Sequence, residues 1–368
     1  MKPQATQYCP TNLESKRSPA ISQANRPCLI ETSIVLITLS SAAGAAEPRA
    51  SGEDDIKPGF QTSLSVILGA SQSKPSHATT SDDNKSIDSL SSEHKEESSG
   101  IFGLGADVTY TFDNLQTQIF LTSPELPAMF GESMLELGVS HRLASDTKLS
   151  LSFIPFISGA GSEVWEDPFL TGNDRKETDQ ETNAFRFAAE NILQLPISFE
   201  YIVGEIEIEN EASGTSLLDE PGGITSNEMK LLKRAGDFYQ VSLGGSVPLT
   251  DSLFLSSQIS YTALDAEGEA QSFGGYGAGV KLNYMFGKYV LTGGLNYDSF
   301  EFDASHPVFD KVREDDRLSA NVSFTIGEPL AFKNTHLTWF ASYSEADSNI
   351  EFYDSEEAIL GAIVGYSF

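Results

Sequence analysis

The stretch that decides the fold is Ala358-Ile359-Leu360-Gly361-Ala362-Ile363-Val364-Gly365-Tyr366-Ser367-Phe368. Successive side chains of a β-strand point to opposite faces, so every second residue shares a face. One face of this stretch is apolar and ends in two aromatic residues, Tyr366 and Phe368. The other face consists mostly of small residues. The pattern therefore predicts a strand over residues 358–368.

The same alternation recurs along most of the chain, in about fourteen segments joined alternately by long and short connections. A soluble β-sandwich has no physical reason to separate its connections by length, whereas a bacterial transmembrane β-barrel has an even strand number with short turns at one end and long loops at the other. The segments are 59–71, 101–112, 115–123, 134–142, 148–157, 183–191, 196 onward, 238–247, 253–264, 271–286, 289–302, 316–326, 336–344 and 358–368. We predict an all-β fold, a transmembrane antiparallel up-and-down β-barrel of about fourteen strands with long extracellular loops. Twelve strands are the alternative if segments six and seven, or segments three and four, are misread as strands.

Aromatic residues mark one end of this predicted barrel. Three even-numbered segments finish in aromatic pairs, which would form a girdle at the periplasmic interface. The pairs are Tyr110 and Phe112, Tyr284 and Phe286, and Tyr366 and Phe368. The last pair resembles the ending of Gram-negative outer-membrane barrels. That resemblance implies that Tyr366 and Phe368 are a signal for the barrel-assembly machinery.

The composition restricts the partners. The chain has 23 Lys and Arg against 53 Asp and Glu, a net charge of −30. Binding to phosphate backbones requires clustered basic residues, so nucleic acid is not an expected partner. The expected partners are outer-membrane lipid and lipopolysaccharide, the assembly machinery and small solutes.

The N-terminus has the features of a cleaved export signal. Basic residues precede an apolar core that begins near Cys28, and Ala43-Gly44-Ala45 fits a signal-peptidase site. We predict a presequence over 1–45, a short periplasmic segment over 46–58 and the barrel over 59–368. The two cysteines, Cys9 and Cys28, both lie in the presequence, so the mature chain would have no disulfide, thiolate zinc site or cysteine nucleophile. The expected location is the bacterial outer membrane.

Two connections have recognisable features of their own. Residues 72–100 are rich in Ser, Asp, Glu and Lys, and we predict a mobile acidic loop. Within the connection 210–235, residues 226–234 predict a short helix capped by Ser226.

Two charged loop stretches carry a family resemblance. They are Glu163-Val164-Trp165-Glu166-Asp167-Pro168 and Ile350-Glu351-Phe352-Tyr353-Asp354-Ser355-Glu356. With the rest of the mature chain they resemble an uncharacterised family, a domain of unknown function, of outer-membrane barrel proteins from marine gamma-proteobacteria. The resemblance implies a fold and a location but no substrate.

The clustered loop carboxylates suggest that the loops bind Ca²⁺. Ca²⁺ takes 6–8 oxygen ligands, and the candidates are Glu166, Asp167, Asp315 and Asp354. The spacing of an EF-hand is absent. The alternative is that the loop acids pair with nearby basic residues and hold the loops over the barrel; those residues are Arg175, Lys176, Arg313 and Arg317. No cofactor is expected.

The predicted inner face is mostly Ser, Thr, Gly, Asn and Gln, with a few charged residues. The charges assigned to the lumen are Asp107, Glu136, Glu200, Arg186 and Lys281. A ring of about fourteen strands is wide enough for a channel, whereas side chains fill a ring of about eight. We predict a porin-like channel for small hydrophilic solutes, cationic or neutral. The alternative is a non-conducting structural barrel whose acidic loops bind divalent cations, lipopolysaccharide or another cell.

Enzymatic activity is not expected. His306, which lies near Asp303 and Asp310, is the one candidate for an Asp-His pair. The sequence contains no Gly-x-Ser-x-Gly motif, no phosphate-binding glycine loop and no His-Glu-x-x-His motif.

Overall fold

Fourteen strands form the framework of the protein. The computed structural model describes Thr32–Ser33 and residues 57–123, 135–156 and 162–368. In chain order the strands are β1 Gly59–Lys74, β2 Glu97–Thr111, β3 Thr117–Thr122, β4 Glu136–Arg142, β5 Lys148–Ile154, β6 Glu177–Glu190, β7 Ile197–Ile208, β8 Gly236–Pro248, β9 Leu253–Ala266, β10 Phe273–Phe286, β11 Tyr289–His306, β12 Lys311–Gly327, β13 Thr335–Ser348 and β14 Ser355–Ser367. The predicted presequence and periplasmic segment lie outside the described residues, apart from Thr32–Ser33 and residues 57–58.

Smaller elements lie outside this set of fourteen strands. The short strand Thr32–Ser33 pairs parallel with β2, and Ser162–Trp165 pairs antiparallel with β6. One α-helix, α1, spans Ser226–Lys230. Single 3₁₀ turns occupy Ile192–Gln194, Thr215–Leu217, Pro329–Ala331 and Glu351–Tyr353. Over the described ranges, no helix is long and apolar enough to cross a membrane.

The sheet closes on itself. Each strand pairs antiparallel with its sequence neighbours, and β14 pairs with β1 from Ser367 opposite Ser63 to Glu356 opposite Lys74. The chain therefore forms a closed antiparallel barrel of fourteen strands, which confirms the predicted fold and strand number. Because the ring is closed, the backbone N–H and C=O groups of β1 and β14 pair with each other along the seam, and neither strand is a sheet edge there.

The outer surface of the barrel is apolar. Leu104 on β2 and Leu360 on β14 are 62% and 66% exposed, and both point outward with many other large apolar side chains. By contrast, Ile67 is buried on the inward face of β1, the strand that lies between β2 and β14. A water-soluble protein rarely exposes a continuous apolar band of this size, whereas the hydrocarbon of a bilayer requires one.

Aromatic rings collect where the turns are short. Phe286 and Tyr289 flank the two-residue turn between β10 and β11, with ring centroids 5.3 Å apart, and Tyr289 stacks on Phe324 at 5.8 Å. At the seam, the Tyr366 and Phe368 rings are 4.7 Å apart. The aromatic pairs predicted from the sequence lie at this end, and Tyr289 and Phe324 extend the girdle.

The other end differs from the prediction because the strands run further. β11 and β12 stay paired up to His306 opposite Lys311, where the sequence predicted a loop over 303–315. Beyond the apolar band the outward face of these strands carries charged residues such as Glu301 and Glu314, so backbone pairing continues without the outward apolar residues that mark a strand in the band. The predicted loop 72–100 is likewise confined to 75–96. It packs among other loops, with Ile87 buried.

The N-cap of helix α1 lies one residue before Ser226, the predicted cap. Thr225, not Ser226, is the N-cap: its side chain accepts a hydrogen bond from the backbone N–H of Glu228. The Glu228 carboxylate accepts in return from the Thr225 N–H at 2.7 Å. This reciprocal pair is a capping box, which needs a Glu three residues after the cap and therefore selects Thr225.

The seam provides a test of closure. A Cβ at Gly361 would lie 2.8 Å from the Leu68 carbonyl oxygen and would collide with the Phe340 ring. We expect Gly361→Val to destabilise the barrel by about 1–3 kcal/mol, the usual range for overpacking. The measurement is denaturant unfolding of the refolded protein, followed by heat-modifiable electrophoretic mobility. Ala362→Val on the outward face is the matched control, and an equal loss there would contradict the packing argument.

Candidate functional site

A charged triad lies on the inner wall. Arg186 on β6 contacts Glu136 on β4, with Nη1 to Oε1 at 3.3 Å, and Glu200 on β7, with Nε to Oε2 at 2.5 Å. Ser152 on β5 donates a hydrogen bond to Glu136, which is only 1% exposed. The strand register produces this grouping, because Ser152 lies opposite Arg186 and all four side chains share the inward face. Two carboxylates against one guanidinium leave a net negative charge.

The other two predicted lumen charges lie on different strands. Asp107 on β2 is exposed although it points inward, and it accepts a hydrogen bond from Thr122 of β3. Lys281 on β10 is buried on the inward face, opposite Ser256 of β9 and Gly294 of β11. The structure thus joins three of the five predicted charges in one cluster, whereas Asp107 is hydrogen-bonded to Thr122, which lies opposite Glu136 in the sheet.

A second charged group on the inner wall was missed by the sequence analysis. Arg313 donates to both carboxylate oxygens of Asp315 at 2.9 and 2.6 Å, and Arg317 lies opposite Asp298 of β11. The prediction had placed Asp315 and Arg317 in or beside a loop. They point inward because β12 begins at Lys311, and the charged residues on both faces of this part of β12 gave no alternating signal from which the strand could be predicted.

One glycine makes room for this group. A Cβ at Gly277 of β10 would collide with the Asp298 carboxylate and with the Ser260 hydroxyl. The absence of a side chain at this position gives the Asp298 carboxylate its place on the wall.

The inner wall is not uniformly polar, in contrast to the prediction. Toward the long-loop end, inward residues of β5 to β11 form an apolar surface, and Val164 of the short strand Ser162–Trp165 packs on it. Its buried members are Ile154, Ala184, Ile202, Ile206, Ile208, Phe238, Phe273, Phe300 and Phe302. This surface gives the long loops an apolar base to pack on.

The long loops meet in a second apolar cluster. We call the segments 75–96, 162–176, 209–235, 307–310 and 349–354 the cap. The buried residues of this apolar cluster are Ile87, Phe169, Ile224, Leu232, Ile350, Phe352 and Tyr353. Phe169 follows β5, Phe309 follows β11, and their rings are 6.2 Å apart. These strands lie on opposite sides of the ring, so the cap bridges the mouth of the barrel.

Arg175 ties the cap together. Its buried guanidinium donates to the carbonyl oxygens of His77 at 2.5 Å, Pro168 at 2.9 Å and Asn84, and it stacks 4.5 Å from the Trp165 ring. Burial lowers the pKa of Arg175 to about 10, against the opposing effect of Asp167. The side chain stays charged at neutral pH, so its carbonyl partners must compensate for the lost hydration.

The calcium candidates are not arranged as a metal site. Asp167 accepts backbone N–H groups of Phe169, Gly214 and Ser216 at 2.8 to 3.1 Å. The Asp354 carboxylate accepts from the Ser348 N–H at 2.8 Å. Asp315 is paired with Arg313, as the alternative prediction supposed, and Glu166 lies beside Asp167 in the cap. Over the described ranges, no group of three His, Cys, Asp or Glu residues is placed to hold a metal ion.

The candidate Asp-His pair at His306 is not formed. His306 is fully buried, with Nε2 2.9 Å from the Tyr353 hydroxyl and Nδ1 accepting from the Val308 N–H at 3.3 Å. Both ring nitrogens therefore have partners other than Asp303 and Asp310. Nδ1 is the acceptor, so the neutral ring carries its proton on Nε2. The arrangement is structural, and it joins the end of β11 to the connection that follows β13.

Comparisons with known proteins give a family and several distant folds. A family model described as "Protein of unknown function (DUF2860)" matches residues 59–367. No curated protein matches the sequence. The predicted resemblance to an uncharacterised family is consistent with this match, and the marine gamma-proteobacterial origin stays a prediction.

Several solved structures are similar in fold but share little sequence with this chain. A Pseudomonas aeruginosa FadL homologue is 11% identical, with 84% of this chain and 90% of that chain covered and a TM-score of 0.41. The CymD monoaromatic hydrocarbon channel is 7% identical, with 85% and 89% covered and a TM-score of 0.43. OccAB4 of Acinetobacter baumannii is 10% identical, with 85% and 98% covered and a TM-score of 0.40. At these scores the likeness carries no argument about activity or solute.

The triad allows a test of its internal pairing. We expect Arg186→Met to cost about 3 kcal/mol of stability, since it leaves the buried Glu136 carboxylate unpaired. Denaturant unfolding of the refolded barrel measures the loss, and the double variant Glu136→Gln/Arg186→Met should recover part of it. The control is Lys74→Met, which removes an exposed ion pair with Glu356 at 3.6 Å and should cost less than about 1 kcal/mol. Equal losses in the two single variants would contradict the pairing argument.

Proposed function

The chain belongs to the DUF2860 family, whose function is unknown, and we propose that it is an outer-membrane channel for the passive passage of small hydrophilic solutes, cationic or neutral. The observation that carries this proposal is the set of charged groups on the inner wall of a closed ring of fourteen strands. Such a ring is wider than the side chains of its own wall can fill.

The membrane setting is supported by the outer surface. The outward apolar band matches hydrocarbon, and the aromatic girdle at the short-turn end matches a membrane interface. Short turns face the periplasm and long loops face outside in bacterial barrels, so we assign the cap to the extracellular side. Outer-membrane lipid and lipopolysaccharide are then the surroundings of the outer face. Export would use the predicted presequence, and the assembly machinery would read Tyr366 and Phe368.

Water access to the inner wall supports passage. Asn296 on β11 and Asp107 on β2 point inward, yet both are exposed. The net negative triad and the exposed Asp107 carboxylate would raise the local concentration of cations. A hydrophilic cation or neutral molecule therefore fits this wall better than an anion does.

A specific observation favours the alternative function. The cap bridges the mouth with a packed apolar cluster, so the barrel would be non-conducting if the cap never opened. The acidic loops would then act as a surface for divalent cations, lipopolysaccharide or another cell. Conductance separates the two functions.

The first functional test is single-channel recording of the refolded mature protein in a planar bilayer with a salt gradient. We expect openings with cation preference, and we expect Asp107→Asn to move the reversal potential toward zero because it removes an inward charge. Glu205→Gln is the matched control, since Glu205 is an exposed carboxylate on the outward face of β7. A fully folded barrel that stays silent at every pH tested would overturn the channel proposal.

The assembly signal can be tested separately. Phe368 is 69% exposed, and its N–H donates to the Thr62 carbonyl oxygen at 2.8 Å, so the ring itself contributes little to packing. We expect Phe368→Ala to lower the amount of barrel in the outer membrane of cells several-fold while the stability of the refolded protein changes little. Quantitative blotting of membrane fractions measures the first and denaturant unfolding the second. Losses of equal size in both would mean that Phe368 acts in packing.

A further inference from the structure

The segment 75–96, which joins β1 to β2, is held in the cap by contacts to a connection that begins three strands further round the barrel. Thr79 forms an antiparallel bridge with Val164, and the Thr79 carbonyl oxygen accepts from Trp165 Nε1 at 3.0 Å. The N–H groups of Gly172 and Arg175 donate to carbonyl oxygens of the segment, each at 2.8 Å. The segment therefore crosses from β1 and β2 to the connection between β5 and β6.

The contacts of this segment are mostly polar. Arg175 binds the carbonyl oxygens of His77 and Asn84, and the His77 N–H donates to the Phe352 carbonyl oxygen at 3.1 Å. Ile87 is buried in the apolar cluster, and Ala78 and Leu90 of the segment pack against it. A segment attached by one guanidinium, a few backbone hydrogen bonds and three apolar side chains can detach without unfolding the barrel, because the strands on either side have their own partners.

His77 is the titratable group at the centre of this attachment. Its ring is 2% exposed and lies 4.2 Å from the His94 ring and 5.6 Å from the Phe352 ring, measured between centroids. Nε2 lies 2.9 Å from the Ser92 carbonyl oxygen and must donate to it. Nδ1 is buried without a hydrogen-bond partner among the described residues. A second proton would go to Nδ1, where no acceptor receives it.

We propose that residues 75–96 are a lid on the extracellular mouth, latched by Arg175 and released when His77 is protonated. This inference rests on the proposed channel function and adds its regulation.

Burial and the charges around His77 together determine how the stability of the latched state changes with pH. Burial lowers the pKa of His77 from its ordinary value of 6.5, and the positive charges of His94, Arg175 and Lys95 add to this, against the hydrogen bond to Ser92. The released segment would bind a proton with the ordinary pKa, so it holds more protons than the packed segment. The latched state is therefore fully stable above about pH 6.5 and loses stability as pH falls below that value.

One group in the cap acts in the opposite direction. Asp354, on the connection 349–354 that packs against His77 through Phe352, has its pKa raised by burial, and His94 partly offsets this. The packed state gains stability as this carboxyl is protonated. Its ordinary pKa of 3.8 lies well below that of histidine, so opening should be greatest in mildly acidic solution.

A reversible crosslink tests the lid. The bridged pair Thr79 and Val164 has the close approach of antiparallel neighbours, about 4.5–5.5 Å between Cα atoms, which suits a disulfide. We would record the Thr79→Cys/Val164→Cys variant of the mature protein, which has no other cysteine, in a planar bilayer at pH 7.5 and 5.5. We expect oxidation to lower the open probability at pH 5.5 at least tenfold, and reduction by dithiothreitol to restore it.

A histidine variant tests the trigger. Without the crosslink, we expect open probability to rise several-fold from pH 7.5 to 5.5, and His77→Asn to abolish that rise because its side chain cannot take up the proton. His141→Asn is the matched control. His141 lies at the short-turn end, where its Nδ1 is 2.9 Å from the Thr117 hydroxyl, so its loss should leave the response intact.

Hydrogen exchange separates failure of the lid from failure of the channel. The amides of Gly172 and Arg175, which donate to the segment, should lose protection at pH 5.5 after correction for the intrinsic rate, and His77→Asn should keep them protected. Conductance that is equal in the crosslinked and reduced proteins would overturn the lid and leave the channel standing. A silent barrel whose amides still lose protection in acid would overturn the channel and leave the acid-released segment standing. Amides equally protected at both pH values would overturn the latch.

Discussion

The structure depends on one constraint, which is that a backbone surrounded by hydrocarbon must satisfy its hydrogen bonds within the protein. An open sheet fails this at its two edges, so the strand that ends the fold has to pair with the strand that begins it. The seam from Ser63 to Lys74 meets that need. Once the ring is closed, the outward side chains face lipid and the inward side chains can be charged. The triad lies at such inward positions, and the cap covers one end of the space that the ring encloses.

Much of the fold could be predicted because the pattern that specifies it is local. Within the apolar band each strand alternates with period two, and the fourteen strands were all found in this way. The pattern ends where the band ends. Lys311 to Asp315 pair as a strand outside the band, with polar residues on both faces, and nothing local distinguishes them from a loop. Thr225 was missed for a smaller reason, since its capping partner Glu228 has to be considered together with it.

The candidate site divides in the same way. Glu136, Arg186 and Glu200 were identified because charges on the inward face of a strand stand out against Ser and Gly, and strand order brings them together. Loops held over the barrel by ion pairs were one of the alternatives, but the apolar cluster of the cap was not identified, because Phe169 and Phe309 meet across 140 positions of the chain through loops that have no period. Arg175 was assigned to a carboxylate partner, yet carbonyl oxygens of distant segments bind it. Such contacts follow from the assembled ring and are not encoded in any one stretch.

The seam has a consequence for how the protein is made. β1 emerges first from the ribosome and β14 last, and they are neighbours in the finished ring. No intermediate that lacks β14 can hide the exposed edges of β1 and β13. A chain that stops before β14 therefore keeps two unpaired sheet edges, which are sites of aggregation. The last strand thus protects the first, although almost the whole length of the barrel sequence separates them.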